Sequence, residues 1–205
     1  GTAQDMHLVA AELTAMTAGG GMRVGSKTGG DVIVDTVTAA SSDNVALLFS
    51  IAALHDNAKV TFSGASVFNA LDVPADGGIA AQVAVTADTG ILSLDGDSDS
   101  DADTTDTLAI ASGLTMTSET VMTLAARTAV GGIIPAGAMT LSAKAGVYIT
   151  DAMTTSTSNK ALVINADTDK TGTSGTLTVA SSKTVTASKS DVTITAWDLD
   201  LDGSL

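Results

Sequence analysis

The feature that most constrains this chain is a rapid succession of short alternating segments, clearest between residues 176 and 205. There, apolar residues at every second position alternate with threonine or aspartate, which is the pattern of half-buried β-strands. The segments are centred near residues 178, 185, 193 and 200, so a new strand begins every seven or eight residues. The linkers are too short for helical crossovers. This cadence predicts a chain that coils around its own axis.

The strand pattern extends back to residue 22, and only the first stretch departs from it. Residues 5–17 place Leu8, Leu13 and Met16 at helical spacings, with Asp5 positioned to cap the helix and three glycines to end it. We therefore predict a short helical turn near the N-terminus. Further strands, separated by turns rich in Asp, Asn and Gly, are predicted at residues 22–24, 31–37, 45–51, 59–64, 66–73 and 81–87.

The composition favours a narrow solenoid over a compact globule. Hydrophobic residues make up 44% of the 205 residues, but aromatic residues only 2%. A globular core usually contains large aromatic groups, whereas a solenoid is filled by thin layers of Val, Ile, Leu, Met and Ala. The chain has only two prolines and no long polar tract, which argues against disorder.

The charge excludes some partners. A net charge of −14 provides no basic surface for phosphate, so we expect no nucleic-acid partner. No run of eighteen apolar residues is present, and we expect no membrane-spanning segment. The chain has no cysteine, which rules out disulfides and zinc-thiolate sites.

The second half of the chain repeats itself imperfectly at about 70 residues. Residues 91–129 resemble residues 161–197, with Leu92 matching Leu162 and Thr123 matching Thr193. Repetition at this scale is typical of stacked coils. The pattern is already under way at both ends of the chain, and we expect residues 1–205 to be a single β-solenoid segment from a longer repeat protein.

Two stretches carry a resemblance to a known family. Residues 7–35 read HLVAAELTAMTAGGGMRVGSKTGGDVIVD, and residues 190–205 read SDVTITAWDLDLDGSL. Both resemble the tandem repeats of filamentous-haemagglutinin-type surface proteins, large secreted adhesins built on parallel β-helices. The resemblance implies a right-handed parallel β-helix and an extracellular or cell-surface location.

One acidic run suggests a metal site. Alternating aspartates place several hard oxygen ligands along one extended loop, which suits Ca²⁺. The candidate ligands are Asp95, Asp97, Asp99, Asp101 and Asp103. Their spacing matches neither an EF-hand nor the nonapeptide of calcium-binding β-rolls, and the alternative is a solvated turn. Asp167 and Asp169 are predicted to lie in an equivalent turn, close enough to share a cation.

Nothing in the sequence indicates catalysis. His7 and His55 are the only histidines, and neither has a nearby nucleophile or paired carboxylate. The glycine pairs lack the strand–GxGxxG–helix context of a phosphate loop. The Thr-x-Thr pattern at residues 184–186 and 193–195 has the appearance of an ice-binding face, although threonine is also the usual polar residue of an exposed strand.

Together these observations predict an elongated all-β protein, a right-handed parallel β-helix with about 20–24 residues per coil. Leu177, Val179, Val192 and Ile194 should line its core, while Leu199 and Leu201 should also face inward. The expected function is structural, as a non-enzymatic repeat of an extracellular filament or adhesin that associates end to end or with neighbouring repeats. A cation-binding or ice-binding module is the alternative, and a polysaccharide-active β-helix enzyme is the third. No cofactor other than Ca²⁺ is expected, and any surface or glycan ligand is unidentified.

Overall fold

A computed structural model of the chain describes residues 6–101 and 103–205. The described residues form 22 short strands, numbered β1 to β22 in chain order, in three sheets whose neighbouring strands are all parallel. Sheet 1 contains, in spatial order, β1 (Met6–Val9), β3 (Val32–Asp35), β5 (Val60–Phe62), β8 (Ile79–Ala81), β11 (Leu108–Ile110), β14 (Ile133–Pro135), β17 (Met153–Thr154) and β20 (Val185–Thr186). Sheet 2 contains β6 (Ser66–Phe68), β9 (Val85–Ala87), β12 (Leu114–Ser118), β15 (Met139–Ala143), β18 (Leu162–Asn165) and β21 (Val192–Thr195). Sheet 3 contains β2 (Met22–Ser26), β4 (Phe49–Ala53), β7 (Leu71–Pro74), β10 (Leu92–Asp95), β13 (Val121–Ala125), β16 (Gly146–Ile149), β19 (Thr176–Val179) and β22 (Asp198–Leu201).

From β5 onward the chain visits the three sheets in a fixed cyclic order. Each strand of sheet 1 is followed by one of sheet 2, then one of sheet 3, before the chain returns to sheet 1. Each return places the new strand beside its predecessor in the same sheet. This all-β, all-parallel arrangement is consistent with the predicted solenoid.

Two short helices take the place of sheet 2 in the first two circuits. They are α1 (Ala10–Thr14), which follows β1, and α2 (Ala39–Ser42), which follows β3. Helix α1 packs on α2, and α2 packs on β6, the first strand of sheet 2. The two helices therefore extend the stack of sheet 2 beyond β6. A 3₁₀ turn spans Thr128–Val130. Neither α-helix of the described chain is long and apolar enough to cross a membrane.

The predicted N-terminal helix is confirmed only in its second half. Met6–Val9, expected to be helical, is a strand that pairs in parallel with Val32–Asp35. The helix starts at Ala10, where Glu12 Oε2 accepts the backbone N–H of Val9 at 3.1 Å. The proposed N-cap, Asp5, lies outside the described residues.

The core consists of apolar columns that run along the stack. In sheet 1 the inward column has seven buried members in register: Val32, Val60, Ile79, Leu108, Ile133, Met153 and Val185. The three phenylalanines lie in the early coils, where the ring centroids of Phe49 and Phe68 are 5.2 Å apart. Thin aliphatic columns therefore fill the interior, as the low aromatic content predicted.

The coils are less regular than predicted. Paired residues in neighbouring strands are separated by as few as 19 positions, between Val60 and Ile79, and by as many as 32, between Met153 and Val185. The predicted range of 20–24 is therefore too narrow, because turns of very different length join strands of similar length. The predicted strand at 66–73 is also two strands, since Asn69 turns the corner and donates its side-chain N–H to Val45 O at 3.0 Å.

The 70-residue repeat does not correspond to a whole number of circuits. Leu92 lies in β10 of sheet 3, whereas its match Leu162 lies in β18 of sheet 2. The two members of the repeat therefore share a strand pattern but occupy different faces. That the chain is one segment of a longer repeat protein stays a prediction.

Part of the predicted core is wrong, because two of its residues in the last circuit are exposed. Leu177 and Val179 are fully buried, as expected, but Val192 is 44% exposed and Leu199 is 51% exposed. Val192 pairs with buried Leu162, and Leu199 pairs with buried Leu177, so both stand in inward columns. Their exposure arises because no described strand lies beyond β21 and β22.

Candidate cation site at one corner

Every turn from sheet 3 back to sheet 1 lies at the same corner of the stack, named here the 3–1 corner. The turns stack because the strands on both sides of each turn pair in register. Three successive turns, at residues 54–59, 75–78 and 96–107, carry a group of acidic side chains. The following turns of the same corner carry Arg127, Asp151 and Lys183.

Glycine allows the middle turn to stack tightly on the preceding one. A Cβ atom at Gly77 would lie 2.4 Å from the carbonyl carbon of Asn57, so no side chain fits there. Next to it, Asp76 Oδ2 accepts the backbone N–H of Asn57 at 2.6 Å. The Asp76 carboxylate is thereby held between the turns, and the residue is only 3% exposed.

The structure does not bring the five predicted ligands together in one place. Asp95, at the end of β10, and Asp97 line an open cleft of about 510 Å³ with Arg127. Asp97 Oδ2 lies 3.4 Å from Arg127 Nη1, which makes Asp97 part of an ion pair rather than a free ligand.

Of the other predicted ligands, two lie near the preceding turn and one is exposed. Asp99 and Asp103 approach Asp76, which belongs to the preceding turn. Asp101 is exposed, and its backbone carbonyl accepts a hydrogen bond from Arg127 Nη1 at 2.5 Å. The alternation of aspartates therefore does not bring all five carboxylates together, because the loop turns at Ser100, whose φ is +63° and whose N–H binds Asp97 O, rather than running extended.

Four aspartates from three turns form an acid cluster, consisting of Asp56, Asp76, Asp99 and Asp103. One carboxylate oxygen each of Asp56, Asp76 and Asp103 lies within 4.8 Å of the other two. The carboxyl groups of Asp76 and Asp99 are in hydrogen-bonding contact. Sequence analysis missed Asp56 and Asp76, although both stand in Asp-Asn or Asp-Gly turns about one circuit apart.

Burial and mutual repulsion perturb the acid cluster. Burial raises the pKa of Asp76 to about 6, helped by the hydrogen bond to Asp99 and by the charges of Asp99 and Asp103. The pKa of Asp99 is lowered, because its carboxylate accepts the Asp101 backbone N–H and the Asp76 hydrogen bond. In the absence of a cation, the Asp76 carboxyl group therefore stays protonated up to a higher pH than an ordinary aspartic acid does.

The loop also contains polar atoms without partners. Within the described part of the chain, Asp97 Oδ1, Ser98 Oγ and Asp106 Oδ1 are buried and have no hydrogen-bond partner. Asp106 is 1% exposed, and its pKa is raised by burial and by the charges of Asp97 and Asp103. Its second oxygen, Oδ2, accepts the Asp103 backbone N–H at 3.0 Å. Buried carboxylate oxygens left unpaired in this way are costly unless something satisfies them.

We expect the protein in EDTA to melt at a higher temperature at pH 5.0 than at pH 7.5. Asp76 has a folded pKa of about 6 against an ordinary value of 3.8. The folded state therefore binds its proton more tightly than the unfolded state does. The resulting stabilisation is fully present below pH 3.8 and is lost as the pH rises through about 6. Circular dichroism melts across this range measure the effect.

The matched variants for the pH experiment are Asp76→Asn and Asp169→Asn. Asp169 Oδ1 accepts the Thr171 backbone N–H at 3.2 Å in an exposed turn elsewhere, so its replacement leaves the acid cluster intact. Asp76→Asn should flatten the pH dependence of the melting temperature, whereas Asp169→Asn should preserve it. A higher melting temperature at pH 7.5 in metal-free wild-type protein would contradict the expectation.

Beyond the acid cluster, the 3–1 corner carries alternating charges along the stack. Arg127 lies in the turn next to that of Asp97 and forms an ion pair with it. In the two turns after that, Lys183 Nζ lies 2.5 Å from Asp151 Oδ1. These partners are about 30 residues apart in sequence, so inspection of local spacing did not detect them. The pairs tie successive turns together.

The predicted second acidic turn does not reach this corner. Asp167 and Asp169 lie between β18 and β19, at the turn from sheet 2 to sheet 3. They therefore cannot share a cation with Asp97 and Asp99, because the two turns leave different sheets.

Comparison with known protein families, curated proteins and solved structures found no match to this chain. The resemblance to filamentous-haemagglutinin-type repeats therefore rests on residues 7–35 and 190–205, and it stays a prediction.

Proposed function

We propose that this chain is a structural segment of an extracellular or cell-surface filament or adhesin, built as a right-handed parallel β-helix. The observation that carries the proposal is the continuity of the in-register columns along sheets of up to eight strands. Parallel crossovers within one sheet are right-handed in nearly all proteins. A stack of this kind lengthens by adding coils, and each coil contacts only its neighbours.

The surface beyond the last circuit supports end-to-end association. Four apolar side chains there stand in inward columns and are exposed or only partly buried: Val192, Ile194, Leu199 and Leu201. Leu205 is also exposed and lines the same apolar depression as Val192 and Ile194. Strands β20, β21 and β22 also have an edge that no described strand covers. Uncovered strand edges and apolar surface favour pairing with another coil. A second copy of the chain or a neighbouring repeat of the same fibre would supply it.

We expect the purified chain to form end-to-end rods as its concentration rises, seen by small-angle X-ray scattering and sedimentation. Leu199→Lys should keep the particle monomeric, because it places a charge on the apolar end. Thr193→Lys is the matched control, since Thr193 lies in the same circuit and is exposed on the outward face of β21. Antibodies against the chain should label intact source cells or their extracellular material. Equal association by both variants, or labelling only after permeabilisation, would refute the proposal.

One observation supports the third alternative, a polysaccharide-active enzyme. The cleft of the 3–1 corner brings Asp95, Asp97 and Asp151 beside Arg127 and Lys183. Glycoside hydrolysis generally uses two carboxyl groups in separate acid and base or nucleophile roles. Here two of the three carboxylates are held in ion pairs, so the cleft favours the role of joining coils, and catalysis is not part of the proposal.

Ice binding gains no comparable support. Thr186 belongs to β20 of sheet 1 and Thr193 to β21 of sheet 2, so the two Thr-x-Thr segments do not share one flat face. The cation-binding alternative concerns the acid cluster and is compatible with a structural role.

A further inference from the structure

Sheet 3 is the one sheet that, among the described residues, has a complete uncovered strand at each end. Its outermost strands are β2 and β22, and each is paired on one side only. In sheet 2, helix α2 packs on the end strand β6, and in sheet 1, Ser204 already pairs with Thr184 beside β20. Uncovered strand edges can pair with a strand of another chain. Sheet 3 therefore offers one such edge at each end of the stack.

One outward column of sheet 3 passes through all eight strands without a shift of register. Its members, in order, are Arg23, Ser50, Asp72, Ser93, Thr123, Tyr148, Thr178 and Asp200. The column thus begins with a cation and ends with an anion. Arg23 and Asp200 are both exposed, and within the described part of the chain neither forms an ion pair. The two ends of the column carry complementary charges that the single chain leaves unused.

We propose that β22 of one copy pairs in parallel with β2 of a second copy, so that Asp200 lies opposite Arg23. This inference rests on the structural role proposed above, and it adds which two ends meet and in which register. Continuing the columns without a shift also places Leu199 opposite Met22, so the inward column remains apolar. Residues paired across neighbouring strands lie about 4.8 Å apart. At that spacing a guanidinium group and a carboxylate can form a charge-assisted hydrogen bond.

The residues around Arg23 favour this pairing over contact between two identical ends. In the same register, Asp198 and Asp202 would lie opposite Gly21 and Gly25, which carry no side chains, so the acidic end of sheet 3 meets a single guanidinium group. Two β22 strands brought together would instead place aspartates close to aspartates, and like charges in such positions are destabilising. Contact between two different ends is also the kind that builds open filaments.

The adjoining corner shows a matching difference in size. Trp197 directly precedes β22 and is 60% exposed. Gly19 and Gly20 come shortly before β2, and a Cβ atom at either position would meet nothing within 4 Å. Trp197 already packs along a glycine of its own chain, since a Cβ atom at Gly172 would lie 3.2 Å from the indole ring. Pairing of β22 with β2 therefore brings the bulky indole of one end to a turn that has no side chains at the other.

The experiment exchanges the two charges and measures association by sedimentation at constant ionic strength. Arg23→Asp and Asp200→Arg should each raise the concentration at which the protein associates by about tenfold or more, because each places like charges opposite one another. A mixture of the two variants should associate as the wild type does, since the new aspartate of one faces the new arginine of the other. The double variant should recover as well, and it keeps the net charge of the wild type.

Lys160→Asp is the matched control, because it changes the net charge by as much as Arg23→Asp does. Lys160 is exposed in the turn before β18, away from both outer strands of sheet 3, so this variant should associate nearly as the wild type does. A second readout comes from Trp197, the only tryptophan of the chain. Its emission should shift to shorter wavelength as the wild type associates, and Arg23→Asp should move that shift to higher concentration.

The outcomes separate this inference from the proposed function. If the wild type associates and Leu199→Lys prevents it, but neither charge variant weakens it, the structural role stands and the pairing of β22 with β2 is overturned. Failure of both the mixture and the double variant to recover would overturn the pairing too. A wild type that stays monomeric would contradict the structural role and this inference together.

Discussion

Leu141→Asp should destabilise the protein by about 4 kcal/mol or more, enough to unfold a large part of a chain of ordinary stability. Leu141 is fully buried in β15, where it stands in register between Met116 of β12 and Ile164 of β18. An aspartate there would remove a large apolar side chain and place a carboxylate where both neighbours in the column are apolar. The interior is too thin to rearrange around it. Chemical denaturation followed by circular dichroism measures the change.

Thr140→Asp is the matched control for this experiment. Thr140 precedes Leu141 and faces outward, and its neighbours in the adjacent strands, Thr115 and Val163, are uncharged. The substitution introduces the same carboxylate without like charges opposite it, so it should cost less than about 1 kcal/mol. Similar losses from the two substitutions would contradict the in–out assignment of sheet 2.

The Leu141→Asp substitution should also destabilise some strands more than others, which is a second measurable result. Stacked coils are stabilised by nearest-neighbour contacts, so Leu141→Asp should first expose the backbone amides of β12, β15 and β18 to hydrogen exchange. Val192→Asp should cost less than half as much as Leu141→Asp, because Val192 is 44% exposed in the last circuit. Uniform loss of protection from end to end would favour a single cooperative globule instead.

Alternation alone predicted most of the strands, because most strands bury one face. Leu177 and Val179 alternate with threonine, and the sequence places both in the core, as the structure confirms. The same rule failed at Val192, since burial depends on whether another strand covers the circuit. Corners were also missed where the apolar pattern continues across them. Asn69 and Ala70 separate β6 from β7 with no glycine or proline between the strands.

The candidate site was harder to predict, because it too depends on which strands lie next to each other in the stack. Its aspartates are neighbours only because strands 19–22 positions apart pair in register, as between Phe49 and Leu71 or Val60 and Ile79. Sequence spacing identified Asp99 and Asp103 within their loop. The register that brings Asp76 beside them depends on turn lengths, which vary from coil to coil and follow no repeat.

Close backbone contact between coils predicts a second large effect, at Gly25 in β2. Its φ is +96°, and a Cβ atom there would lie 2.0 Å from the carbonyl oxygen of Ala52 in β4. Alanine would therefore add a clash with the neighbouring backbone to the strain of a left-handed conformation. Together these should destabilise the protein by about 3 kcal/mol, equivalent to a fall of about 6–12 °C in melting temperature.

Gly113→Ala separates the clash from the conformational strain. Gly113 has a similar φ of +83°, but a Cβ atom there would meet nothing within 4 Å. Alanine at this position should cost only the strain, about 1–2 kcal/mol, so its melting temperature should fall much less than that of Gly25→Ala. The difference between the two variants measures how closely β2 and β4 approach at Gly25. Equal losses would mean that the strands separate to admit the methyl group, and that this first contact of sheet 3 is looser than its register indicates.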